Sequence, residues 1–155
     1  MRILAIDPGP QQSAFVVWNG KEISEKGIRV NKEFLEWIDL GNWSLVLNID
    51  VYVLEDVEHF GMPVGKDVFE TVRWTGIFAH AAGLKWTHFL PRREVKLHLC
   101  GSARAKDANI RQALIERLGP PGTKKAQGIT YGVKKDMWSA LALAVTWWDQ
   151  HIIKP

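Results

Sequence analysis

The chain has 155 residues, 46% of them apolar, and a formal net charge of +3, which describes one globular domain, residues 1–155, with a full hydrophobic core. No stretch approaches the roughly 20 uncharged apolar residues of a membrane span, and a lone cysteine, Cys100, excludes an internal disulfide and fits a reducing, cytoplasmic setting. The five histidines are scattered, none beside a cysteine at zinc-finger spacing, and Arg2 is not followed by the long apolar region of a secretory signal.

Residues 3–7 (ILAID) read as a buried strand that stops on a carboxylate, with Pro8-Gly9-Pro10 turning the chain at once. Residues 13–18 and 22–30 read as two more strands, with Asn19-Gly20 between them, a hairpin signal because both residues tolerate positive φ. A three-stranded antiparallel meander is expected. Asn31 is expected to N-cap a helix running to about Trp37 and ending near Gly41. Residues 46–55 contain VYVLE, a second apolar strand ending in acid. Residues 66–82 form a helix with Val68, Val72, Thr75, Ala79 and Ala82 on one stripe; its apolar second half belongs in the core or in a subunit contact. A short strand at 86–90 precedes Pro91, which suits the first turn of a helix over 92–99. Asp107 caps a helix to Leu118, stopped by Gly119-Pro120-Pro121-Gly122, and 134–150 form the last helix. Strands first, then strands alternating with helices, predict an α/β domain with a mixed sheet.

Charge is unevenly spread. Between Lys85 and Lys135 there are twelve Lys or Arg and three acids, a net +9, which leaves −6 for the remainder. That split describes either a polyanion-binding surface beside a cluster of carboxylates or ordinary solvated helix faces. Arg92, Arg93, Lys96, Arg104, Lys124, Lys125, Lys134 and Lys135 are the phosphate-contact candidates, giving affinity and salt dependence with little sequence readout. Gly122-Thr123-Lys124-Lys125 lacks the full phosphate-loop pattern, so no nucleotide cofactor is expected.

Asp7 and Glu55 each end an apolar strand, and parallel neighbours would set both at the same sheet edge, where ligand sites of open α/β sheets lie. Asp136 falls in the first turn of the last helix, whose dipole favours an anion. Taken singly, each acid also has an ordinary reading: a turn former, a solvated group with Asp56 and Glu58, a dipole-compensating residue. Carboxylates gathered at one point repel unless a cation joins them, and hard oxygen donors suit Mg²⁺ or Mn²⁺. Two such ions about 4 Å apart can drive phosphodiester hydrolysis.

AIDPG at the first strand's end, LED after the second apolar strand, and the last-helix pattern K-x-D-x-x-x-A-L-A-L-A together resemble the RuvC-type Holliday junction resolvases of the RNase H-like superfamily, and especially their small bacteriophage members. The stretch GSARAKDANIRQAL resembles the family's segment before its last acidic motif. The likeness spans about residues 1–150. It implies an RNase H-like fold and a homodimer that binds four-way DNA junctions and makes paired nicks with Mg²⁺ or Mn²⁺, two ions per site. It also implies Asp7, Glu55 and Asp136 as metal ligands and Lys106 as a lysine near the scissile phosphate. In the same likeness the loop after Glu55 faces the junction centre, where Phe60 could wedge between bases, with Lys66 beginning the next helix. One position departs from the pattern: three residues after Asp136, where the family has a carboxylate, this chain has Ser139. Three readings follow: Asp136 alone completes the site, another acid such as Asp107 or Asp56 moves in, or metal affinity is reduced. The first is favoured, with Ser139 packing or hydrogen-bonding beside the site. Nuclease action on flaps or RNA–DNA hybrids, and a junction-binding module without nuclease activity, are the alternatives.

Overall fold

A computed structural model describes residues 1–40 and 48–154. Ile3, Leu4, Ala5 and Ile6 are all fully buried, and because successive strand side chains alternate between faces, such a strand needs a layer on each side. Strand β1 (Ile3–Asp7) is the centre of a five-stranded sheet containing β2 (Gln12–Trp18), β3 (Ile23–Val30), β4 (Val51–Asp56) and β5 (Thr87–Pro91), in the order β3-β2-β1-β4-β5. The meander β1–β2–β3 is antiparallel; β4 and β5 add to its other edge in parallel. Among the described residues the α-helices are α1 (Asn31–Asp39), α2 (Lys66–Ala82), α3 (Arg92–Cys100), α4 (Asp107–Leu118) and α5 (Met137–Trp148). This is the mixed α/β architecture expected from the element pattern.

One face of the sheet, with Ile3, Ala5, Val16, Val51 and Val53, packs on α5 and on residues of α3 and α4. The other face, with Leu4, Ile6, Phe15, Val17 and Leu54, packs on α1 and α2 through Phe34 and Phe78. Phe34 stacks on Phe15 at 5.1 Å and meets Phe78 edge-on at 5.3 Å. All but two of the residues in α5 are buried, as expected of a helix that is apolar all round.

Several boundaries differ from expectation. Strand β4 starts at Val51, where pairing with β1 begins (Ile3 beside Val51); Val46 and Leu47 of the expected strand, and Gly41 at the expected helix end, lie outside the described residues. Helix α5 starts at Met137, because Lys135 takes a left-handed φ of 50°, a conformation that no α-helix continues through. Its C-terminus runs into a π-helical turn, Asp149–Ile153. On α2 the buried positions are Thr75, Phe78 and Ala79, whereas Val72 and Phe69 face out. Asn31 is not the cap of α1; Val30 holds that position, because the Asn31 side chain is engaged with the turn after β1. Asp107 is not the cap of α4 either. Lys106 holds that place, its N–H donating to Asn109 Oδ1 at 2.8 Å, and the Asp107 carboxylate is drawn off to Arg92.

Candidate active site

The parallel register that pairs Ile6 with Leu54 brings Asp7 beside Glu55. Both share a face with Ile3, Ala5, Val51 and Val53 by strand alternation, so both carboxylates project towards α5. The turn that ends β1 is held from two sides. Gly9 N–H donates to Ser13 Oγ at 3.2 Å, Ser13 donates to Asn31 Oδ1 at 2.6 Å, and Asn31 Nδ2 donates back to the Gly9 carbonyl at 2.8 Å. Ser13 and Asn31 are each 1% exposed. The loop is tight enough that a Cβ on Gly9 would sit 2.4 Å from the Gln12 carbonyl oxygen, which only glycine avoids.

Asp7 and Glu55 are near enough for the Glu55 charge to act on Asp7, and neighbouring carboxylates repel unless a cation joins them. Burial, then Glu55, then the field of Asp136 push the Asp7 carboxyl well above the usual carboxylate range, with Arg92 opposing. Asp136 stands exposed at the N-cap of α5, its carbonyl accepting from Ala140 N–H at 3.1 Å. Among the described residues, no three Asp, Glu, His or Cys are gathered closely enough to hold a metal ion as they stand. The donors nevertheless suit a hard dication: two neighbouring carboxylates and a third whose field reaches Asp7 form a group with a deficit of positive charge, and burial first, then those charges, raise the Asp7 pKa.

Arg92 partly offsets that deficit. The first residue of α3, it reaches Glu55 at 3.4 and 3.5 Å, Ser139 Oγ at 3.5 Å, and Asp107 in a short ion pair. Burial alone would lower its pKa; Glu55, Asp107 and Asp7 outweigh burial and keep it charged. Ser139 therefore hydrogen-bonds beside the acids.

A cavity of about 540 Å³ opens next to this cluster, between α4 and the start of α5, lined by Asp107, Arg111, Lys134, Lys135, Asp136, Trp138 and Ser139 among others. Lys134 and Lys135 are thus brought to the acids. Arg111 was not singled out in the sequence; its guanidinium lies 5.1 Å from the Trp138 ring centroid, and the i, i+4 relation to Ile115 on the cavity-facing side of α4 was the only available signal. The other candidates are spread along the same edge or beyond it. Lys106 is exposed one residue before Asp107, and Arg93 and Arg104 are exposed. Lys124 and Lys125 occupy an exposed turn closed by a bridge between Gly122 and Gln127. Phe60 is 68% exposed in the loop after β4, beside exposed Met62 and Val64, and Lys66 is exposed at the start of α2.

No protein-family model matches the chain, and no curated protein sequence does. Solved structures do. The RuvC structure of Thermus thermophilus superposes with a TM-score of 0.68 at 15% identity, over 97% of this chain and 96% of that one. T. thermophilus RuvC in complex with a Holliday junction substrate gives 0.66 at 17% identity, over 94% and 92%. Together with the mixed sheet and its flanking helices, these matches show that the chain has the RuvC-type, RNase H-like fold.

Proposed function

We propose that the chain is a metal-dependent, structure-selective endonuclease, a single RNase H-like nuclease domain that resolves four-way DNA junctions by paired nicks, as a crossover junction endodeoxyribonuclease does. The observation that carries this reading is the juxtaposition of Asp7 and Glu55 at the carboxyl ends of adjacent parallel strands, with the field of Asp136 reaching Asp7. The neighbour bound to a Holliday junction supports the choice of substrate. Asp7, Glu55 and Asp136 would hold Mg²⁺ or Mn²⁺, with two ions per site; when bound, such ions activate water and stabilise a leaving oxygen. The chain's own residues position the DNA: Lys134, Lys135 and Arg111 beside the acids, with Arg93, Arg104, Lys124 and Lys125 further out, neutralise phosphates, and Lys106 stands at the same edge. Phe60 is an apolar wedge of the kind that unstacks a base step.

A homodimer fits the exposed apolar face formed by Phe69 and Val72 on α2 with Val57 and Phe89 beside it. A second reading, a junction-binding module without nuclease activity, is favoured by the hydroxyl of Ser139 and by the lack of a ready three-acid group among the described residues.

The test is a nicking assay on a four-way junction, a flap and an RNA–DNA hybrid with Mg²⁺. Wild type cuts the junction best, and Asp7→Asn binds it without cutting. Nicking retained by Asp7→Asn would overturn the catalytic assignment; junction binding by wild type with no cutting in Mg²⁺ or Mn²⁺ would select the second reading.

A further inference from the structure

Arg92 is delivered to the acid cluster by β5, whose Leu90 stands beside Glu55. Its side chain is 33% exposed and that of Glu55 only 15%. One guanidinium group bridges β4, α4 and α5 by contacting Glu55, Asp107 and Ser139. The space of about 10 Å³ beside these contacts is closed by apolar side chains of α3, α4 and α5 and holds no more than a single water. The guanidinium, donating to both Glu55 and Ser139, occupies the position that a cation between those two groups would take. The partner at 139 is also a hydroxyl, which accepts a hydrogen bond from a guanidinium but adds no charge to attract an ion.

We propose that Arg92 is the resident cation of the carboxylate cluster, filling the place between Glu55 and Ser139, and that an ion is loaded only when its guanidinium leaves Glu55. The proposal rests on the metal-dependent reading above. Asp107, at the outer edge, is the anchor that retains Arg92 once Glu55 is released. Arg92 is thus a positioning residue that competes with metal in the DNA-free protein.

Calorimetric titration of the DNA-free full chain with Mn²⁺ tests this, comparing wild type with Arg92→Gln, Arg92→Lys and, as a control for loss of an exposed cation, Lys21→Gln in the β2–β3 turn. Removing a unit cation in direct contact with a ligand carboxylate is expected to tighten Mn²⁺ binding by about tenfold or more, while Lys21→Gln stays within about twofold of wild type. Arg92→Lys falls between, because a single ammonium cannot bridge Glu55 and Asp107 together. Thermal unfolding in metal-free buffer is read alongside: a merely structural Arg92 would lower stability and leave affinity unchanged or weaker. Affinity in Arg92→Gln equal to or below that of a metal-binding wild type overturns the proposal and leaves the metal reading standing. Absence of Mn²⁺ binding in every variant overturns the metal reading and this proposal with it. Should Arg92→Gln fail to fold, Arg92→Lys decides: tighter than wild type supports the competition, equal or weaker refutes it.

Discussion

Asn31 donates its side-chain amide to the carbonyl of Gly9, 2.8 Å away, while its own Oδ1 accepts the hydroxyl of Ser13. The first turn of α1 thereby holds the loop that leaves Asp7. Asn31→Ala would strand both partners in a buried site, and an unsatisfied buried polar group costs about 1–3 kcal/mol. Urea unfolding is expected to show a loss of about 2–3 kcal/mol. Cleavage should fall in the folded variant as well, because Asp7 lies only two residues before the released turn.

The pairing of Asp7 with Glu55 was legible because each acid ends an unbroken apolar run, and runs buried on both faces belong to adjacent strands of a covered sheet. Helices α2 and α4 were legible from local period and from the Gly-Pro stop after Leu118. What escaped was set by tertiary partners. Asn31 and Asp107 carry the side chains that local rules assign to caps, yet one is taken by Gly9 and Ser13 and the other by Arg92. Arg92 in the sequence is one basic residue among twelve; its place over Glu55 depends on how β5 delivers α3. The start of α5 turned on a left-handed Lys135, a conformation no propensity predicts for lysine.

Asp7 makes the metal-free protein less stable as pH rises. With its folded pKa above the unfolded value, the native state binds more protons than the unfolded chain across the interval between the two, so stability falls with pH through that window and the deficit persists above it. Asp7→Asn carries no charge to bury. In chelator at pH 8 it is expected to unfold at a higher urea concentration than wild type, the gap closing towards pH 4. Adding Mg²⁺ should raise the wild-type midpoint and leave Asp7→Asn where it was.

Asp149, at the opposite end of α5 from Asp136, has the opposite sign. Only 6% exposed, it accepts from His98 Nε2 at 2.6 Å and from both terminal nitrogens of Arg117. Burial pulls its pKa up, but Arg117 and His98 together bring it below the usual carboxylate value. Its contribution is therefore complete above the unfolded carboxyl range and is lost as pH falls through the depressed folded pKa. Asp149→Asn removes the charge that joins α3, α4 and the turn after α5. A cost of about 2–4 kcal/mol is expected at pH 7, shrinking in acid, with junction binding by the folded fraction unchanged.

Lys134 and Lys135 line the cavity that also holds Asp136 and Ser139, so phosphates bound there pass directly beside the acids. Each lysine that neutralises a phosphate releases about one counterion, which sets the slope of log affinity against log salt. The double variant Lys134→Gln, Lys135→Gln is expected to bind a four-way junction more weakly and with a slope shallower by about 2. Arg111→Ala, which removes the guanidinium over Trp138, should take off about one more. Fluorescence anisotropy over a salt series reads both changes. An unaltered slope in the double variant would mean that DNA approaches the acids from another side, and Lys124 and Lys125 would be the next pair to test, since their exposed turn is the nearest other concentration of positive charge in the sequence.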